Sequence, residues 1–199
     1  MAGRRRLESL LRHNRAGFAA TVIKHPNLTL LHAELAARFP ASRHIFVVRS
    51  PAQNIRSILD RLQLAGDLPA PPQRIWDQVP PPWRAILRGQ FLLPEQTVGL
   101  DYVEVLAERW NRFADCYLAG NTPMRLVRYE DFQADKLGVI LAVTEAVGLP
   151  QVADISHLLS HQYQPRGANR ERTPEAFFGK KRMARIEAIC GRRMEVLGY

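Results

Sequence analysis

The residues best suited to chemistry are an arginine, a proline and a serine that follow a short apolar segment. Residues 45–48 are apolar and rich in β-formers, which predicts a buried strand, and Arg49 follows directly. Pro51 is favoured in the first turn of a helix, whose free N–H groups can bind an anion beside the arginine. Ser57 comes about two turns later and would reach the same anion if Arg49 folds back over the helix. The alternative is a βα unit whose arginine only covers the surface.

The elements that must position these residues alternate along the chain. Apolar spacing predicts helices over 5–13, 28–38, 100–118 and 181–197, a further helix after Pro51 and another that ends at Gly148. It predicts strands over 19–24, 45–48 and 124–129. Strands that alternate with helices form a parallel sheet. The expected fold class is therefore α/β, with a parallel sheet flanked by helices, in one domain over residues 1–199.

Residues 67–83 form a Pro-rich loop within this domain. Six prolines between Leu68 and Trp83 rule out a regular helix and a central strand, so the sequence predicts a loop or lid over the sheet edge. Trp76 and Trp83 would either line a substrate pocket or anchor the loop to the body of the protein.

The spacing of Arg49, Pro51 and Ser57 resembles the 3′-phosphate-binding segment of sulfotransferases that use 3′-phosphoadenosine 5′-phosphosulfate (PAPS). Three further segments follow the family's order. VIKHPNLTLL and the later RFPASRHIF resemble its lysine-bearing strand, helix and FP turn. MRLVRYEDF with VGLP resembles its RYEDL and LGL segment, and YQPRGA resembles its late Arg-Gly loop. The resemblance covers residues 21–170, apart from the Pro-rich middle.

The resemblance implies a P-loop NTPase-like sulfotransferase fold and assigns the nucleotide-binding residues. Arg49 and Ser57 would hold the 3′-phosphate of PAPS. Arg166 would meet the same phosphate, and Gly167 would let the backbone approach the nucleotide closely. The family's reaction requires no metal.

The resemblance also suggests which residues take part in sulfuryl transfer. The donor is already activated, so alignment and electrostatic stabilisation dominate, and a lysine at the end of a central strand can follow the moving charge. Lys24 matches that lysine, and His25 is the candidate base for the acceptor's proton. The family's histidine stands two residues after its lysine, so the adjacent His25 points to the opposite side of an extended backbone. A base in the family's N-terminal region is the rival.

The family's N-terminal phosphosulfate-binding loop has no counterpart here. Such a loop supplies backbone N–H groups to the 5′-phosphosulfate, and residues 1–23 contain no Gly/Ser/Thr-rich segment of that kind. We therefore expect an N-terminally incomplete version of the fold. A truncated reading of a longer gene is the first explanation, because the other motifs keep their spacing. Loss of the chemistry and completion of the site by a partner are the other two.

The net charge of +9 is concentrated at the two ends of the chain. Residues 1–15 contain five arginines and one glutamate, and residues 166–199 contain nine basic and four acidic groups. Basic ends usually form solvated surface, but an anionic nucleotide or an anionic acceptor would explain part of this excess. No zinc finger, basic zipper or RNA-binding motif favours nucleic acid as a partner.

The remaining features predict a cytoplasmic protein without a membrane span or a secretory signal, since long apolar runs are absent from the sequence. Cys116 and Cys190 lie among apolar residues at helical spacing, which predicts core thiols. The sequence thus predicts a PAPS-dependent sulfotransferase that acts on a hydroxyl or amine acceptor. The alternative is a non-catalytic remnant of the same fold that binds a partner.

Overall fold

The computed structural model describes residues 7–120, 123–162, 167–169 and 171–199. Most of these residues are helical. In chain order the elements are α1 (Leu7–His13), α2 (Arg15–Phe18), a 3₁₀ helix (Pro26–Leu31), α3 (His32–Arg38), β1 (His44–Val48), α4 (Pro51–Arg61), α5 (Gln73–Trp76), α6 (Pro81–Leu87), a 3₁₀ helix (Pro94–Gln96), α7 (Tyr102–Leu118), β2 (Met124–Arg128), α8 (Tyr129–Ala134), α9 (Lys136–Ala146), a 3₁₀ helix (Ser156–Leu158), α10 (Pro174–Phe178) and α11 (Lys180–Val196).

The two strands form a parallel sheet in which His44 lies opposite Met124 and Val48 lies opposite Arg128. Parallel strands need a crossover between them, and α4 to α7 supply it. The predicted α/β class, a parallel sheet flanked by helices, is confirmed, and both of these strands lie within a residue of their predicted bounds. The finer assignment to a P-loop-type sulfotransferase fold stays a prediction.

The hydrophobic core lies on one face of this sheet. Phe46 and Val48 are buried, whereas Ile45 and Val47 on the opposite face are 38% and 60% exposed. Side chains that alternate along a strand point to opposite faces, so β1 presents one packed and one open face. The packed face meets the apolar sides of α4, α7 and α11, including Ile55, Leu59, Val103, Leu106, Trp110 and Ile186.

Ion pairs join the two longest helices. The pairs between α7 and α11 are Asp101 with Arg182, Glu104 with Arg185, and Asp115 with Arg193. From one pair to the next the residue number increases in both helices, so α7 and α11 run in the same direction. Part of the positive charge of residues 166–199 is therefore neutralised inside the fold.

The predicted strand over residues 19–24 is wrong. α2 ends at Phe18, and the following residues are irregular and exposed, including Val22 and Ile23. β-branched residues form a strand where a neighbouring strand pairs with them. Among the described residues the sheet consists of β1 and β2 alone, so this segment has no partner.

The Pro-rich segment contains helix, contrary to the prediction. Both α5 and the start of α6 fall within residues 67–83, and Pro81 occupies the first turn of α6, where a missing N–H costs nothing. Trp76 and Trp83 pack against the core beneath Arg88 and Arg109. These tryptophans therefore anchor the segment to the body of the protein.

No helix in the part of the chain that the structure describes is both long enough and apolar enough to cross a membrane.

Candidate functional site

The turn from β1 into α4 is fixed by the core. Pro51 begins α4 and is fully buried, and the Trp110 indole donates a hydrogen bond of 2.9 Å to the carbonyl of Arg49. The side chain of Ser50, the N-cap residue, does not cap the helix. The backbone on which Arg49 stands is therefore held rigidly by α7, at the carboxyl end of the strand.

The side chain of Arg49 folds back over α4. Its Nη2 donates to Oε1 of Gln53 at 3.2 Å, and its guanidinium lies 4.8 Å from the centre of the Tyr129 ring. Ser57 stands one turn beyond Gln53, and residues four apart share a helix face. Its side chain is exposed. Arg49 and Ser57 therefore lie toward the same side of α4, which is the arrangement that the anion-binding hypothesis requires.

Arg56 is a member of this cluster that the sequence interpretation missed. It is only 8% exposed, its Nη2 donates to Oε1 of Gln53 at 2.5 Å, and its Nη1 donates to the carbonyl of Arg172. Burial, and then the neighbouring charge of Arg49, lower the pKa of Arg56, and the charge of Asp60 opposes this shift. The available signal was its position, three residues after Gln53 and on the same helix face.

A later loop covers the same face of α4. Nδ2 of Asn169 donates to Oδ1 of Asp60 at 2.6 Å. A Cβ on Gly167 would lie 2.4 Å from Oδ2 of Asp60, so glycine lets the loop lie against this carboxylate without displacing it. The structure thus brings Gly167 to the helix that carries Ser57. Arg166 lies outside the described residues.

Lys24 and His25 are not part of this cluster. Both are exposed, in the irregular segment between α2 and the first 3₁₀ helix, so Lys24 does not end a strand. Two residues later, Asn27 accepts a 3.2 Å hydrogen bond from Arg109 of α7. Within the described ranges, no hydrogen bond or ion pair links Lys24 or His25 to α4. Their predicted roles stay predictions.

The α4 face carries two guanidinium groups close together. Arg49 and Arg56 place two guanidinium groups on one amide oxygen, and no carboxylate of the described residues forms an ion pair with either. The acid nearest in sequence, Asp60, accepts a hydrogen bond from Asn169, and its charge raises the pKa of Arg56. A phosphate or sulfate can accept several charge-assisted hydrogen bonds from such a pair. Among the described residues, no group of three or more His, Cys, Asp or Glu side chains could hold a metal ion.

Comparison of the chain with models of protein families, with curated proteins and with solved structures found no match. The geometry of the site and the sequence resemblance therefore carry the functional argument.

Proposed function

We propose that this chain binds a 3′-phosphorylated adenosine nucleotide at α4 and is a PAPS-dependent sulfotransferase. The observation that carries the proposal is the convergence of Arg49 and Arg56 on Gln53, where no described carboxylate forms an ion pair with either arginine and only the nearby charge of Asp60 favours the charged form of Arg56. A buried charge is costly unless an opposite charge meets it. A bound 3′-phosphate would supply that charge at the place where the sequence resemblance expects it.

The neighbouring groups support the same ligand. Ser57 offers an exposed hydroxyl on the helix over which Arg49 folds, and Gly167 allows the later loop to lie close to α4. Two guanidinium groups offer an oxyanion only hydrogen-bond donors. The serine hydroxyl is also a donor when its proton points toward the oxyanion. The 5′-phosphosulfate and the acceptor would lie toward the groups that perform transfer, for which Lys24 and His25 remain the candidates by resemblance.

Calorimetric titration with adenosine 3′,5′-bisphosphate tests the nucleotide site. Arg49→Ala should weaken binding by about ten- to hundredfold, the loss expected when charged hydrogen bonds are removed, and Ser57→Ala by several-fold. Arg192 is an exposed arginine of α11, so Arg192→Ala serves as the matched control and should bind as the wild type does. Adenosine 5′-monophosphate, which lacks the 3′-phosphate, should bind much more weakly. Equal affinity for the two nucleotides would contradict the proposal.

Sulfuryl transfer is tested separately, by incubating the protein with PAPS and either a phenol or an alkylamine. Release of adenosine 3′,5′-bisphosphate that depends on the acceptor supports the enzyme. Lys24→Ala should then reduce the rate without changing affinity for the bisphosphate, because Lys24 stands apart from the α4 cluster.

The second candidate is a partner-binding module of the same fold without catalysis. The observations that favour it are the exposed, irregular segment around Lys24 and the open sheet face of Ile45 and Val47. Parallel sheets are ordinarily covered on both faces. Tight binding of the bisphosphate together with no transfer from PAPS to either acceptor would favour this module over the enzyme.

A further inference from the structure

One carboxylate joins the carboxyl ends of the two strands. Glu130 follows β2 by two residues, and its Oε1 accepts a 3.0 Å hydrogen bond from the backbone N–H of Ser50. Ser50 is the N-cap residue of α4 and lies directly between Arg49 and Pro51. A side chain that follows the second strand thus fixes Ser50, the residue directly after Arg49, at the start of α4.

The other oxygen of Glu130 is held by Tyr199. The Tyr199 hydroxyl donates to Oε2 of Glu130 at 2.8 Å, and the guanidinium of Arg128 lies 4.7 Å from the centre of the tyrosine ring. Burial, followed by the hydrogen bond to Glu130, raises the pKa of Tyr199. The phenol therefore stays protonated and donates across the neutral pH range.

The position of Tyr199 depends on Gly198. This glycine has φ of +79°, a left-handed conformation that other residues rarely adopt, and a Cβ there would lie 3.1 Å from Nη1 of Arg128. The chain after α11 can therefore turn tightly against Arg128. The turn delivers the tyrosine ring to the strand ends.

Arg49 thus lies between two residues that are linked to Glu130, one by a hydrogen bond and one by sequence. Its guanidinium covers Tyr129, the residue before Glu130, and Glu130 itself holds Ser50. We propose that Glu130 is a positioning residue for the anion site, itself oriented by Tyr199; this inference rests on the proposed function. The carboxylate acts through Ser50 and not by touching the nucleotide.

Geometry and charge at Glu130 have opposite consequences for an anion. A negative charge near the site opposes anion binding, whereas the hydrogen bond to Ser50 sets the start of α4. Glu130→Gln keeps an oxygen for the Ser50 N–H and places an amide donor toward the Tyr199 oxygen, while removing the charge. Glu130→Ala removes both hydrogen bonds. A positioning role therefore predicts different results for the two variants.

Titration with adenosine 3′,5′-bisphosphate compares them. Glu130→Ala should weaken binding by about tenfold, the equivalent of one positioned hydrogen bond, whereas Glu130→Gln should bind within about twofold of the wild type or more tightly. Asp131→Ala changes the adjacent, exposed acid and is the control, expected to leave affinity unchanged. Unchanged affinity in Glu130→Ala, or equal losses in the alanine and glutamine variants, would overturn the inference.

A second readout needs no ligand. The indole N–H of Trp110 is bonded to the Arg49 carbonyl, so its NMR signal, assigned with Trp110→Phe, reports the position of that residue. Glu130→Ala should shift the signal, Tyr199→Phe should shift it less, and Glu130→Gln should leave it near the wild-type position. If Glu130→Ala fails to fold, an unshifted signal in Tyr199→Phe still overturns the proposal. A wild type that binds no bisphosphate refutes the proposed function, while this signal decides the positional link.

Discussion

Arg49 and Arg56 donate to the same oxygen, Oε1 of Gln53, one from the end of β1 and the other from within α4. Two positive groups on one neutral acceptor repel each other, and an anion that binds both removes the repulsion. A ligand that binds only the folded state also stabilises it. We therefore expect phosphate to raise the Tm more than chloride does at equal ionic strength.

Arg56→Met separates this effect from ordinary stability. Methionine keeps an apolar stem of similar length and removes a buried charge, so the variant should unfold within about 1 kcal/mol of the wild type in chloride. It should lose most of the stabilisation by phosphate. Arg192→Met, on the surface of α11, should keep it. Thermal melting measures the increase in Tm that phosphate causes. An equal increase in both variants would contradict the proposed anion site.

Gly167→Ala should disturb the loop over α4. The added Cβ would lie 2.4 Å from Oδ2 of Asp60, so the loop or the carboxylate must move. We expect a several-fold loss of affinity for adenosine 3′,5′-bisphosphate by titration. Gly191→Ala is the control, because nothing lies within 4 Å of its Cβ and alanine favours α11 by about 0.5 to 1 kcal/mol. It should stabilise the protein without changing affinity.

Asp101 contributes to stability in two ways. One oxygen caps α7 through the N–H groups of Val103 and Glu104, and the other binds Arg182, with side chains 21% and 16% exposed. Asp101→Ala should lower the free energy of unfolding by about 2 to 3 kcal/mol, measured in urea. Asp101→Asn keeps a capping oxygen and should lose less than half of that.

The contrasting ion pair is Glu8 with Arg38, which is exposed on both sides and 3.8 Å long. Glu8→Ala should change the free energy of unfolding by less than about 0.5 kcal/mol. A loss as large as that of Asp101→Ala would show that exposure does not decide the strength of these pairs.

His32 and His44 should make stability depend on pH. Their rings meet edge to face at 4.7 Å, and Nε2 of His32 is buried without a hydrogen-bond partner. Burial lowers the pKa of both, and for His44 the charge of His32 lowers it further. The unfolded chain therefore binds more protons than the folded chain. The contribution of these histidines to the free energy of unfolding is complete above about pH 6.5, and it is lost as pH falls through their lower pKa values in the folded state.

His32→Phe tests this dependence. Phenylalanine removes the titrating ring while filling the space, so urea unfolding at pH 7.5 and pH 5 should show a smaller loss of stability in acid than in the wild type. An identical acid loss in His32→Phe and in the wild type would refute the assignment.

Sequence alone determined the regular elements whose apolar spacing is strong. The stripe of Val103, Leu106 and Trp110 predicted α7, and the short apolar run before Arg49 predicted β1, because local periodicity dictates which face a segment must bury. The sequence also placed Arg49 at the start of α4, since Pro51 is compatible with a first helical turn.

The tertiary structure decided everything that depends on a distant partner. The segment before Lys24 has the composition of a strand, but no strand in the described part of the chain lies beside it. Arg56 joins the candidate site only because its side chain and that of Arg49 meet at Gln53. Glu130 and Tyr199 are separated by 69 residues, and the path of the chain through α9 and α11 brings them together. Local preferences act over a few residues, whereas a site is assembled by contacts between segments far apart in sequence, and packing alone sets those contacts.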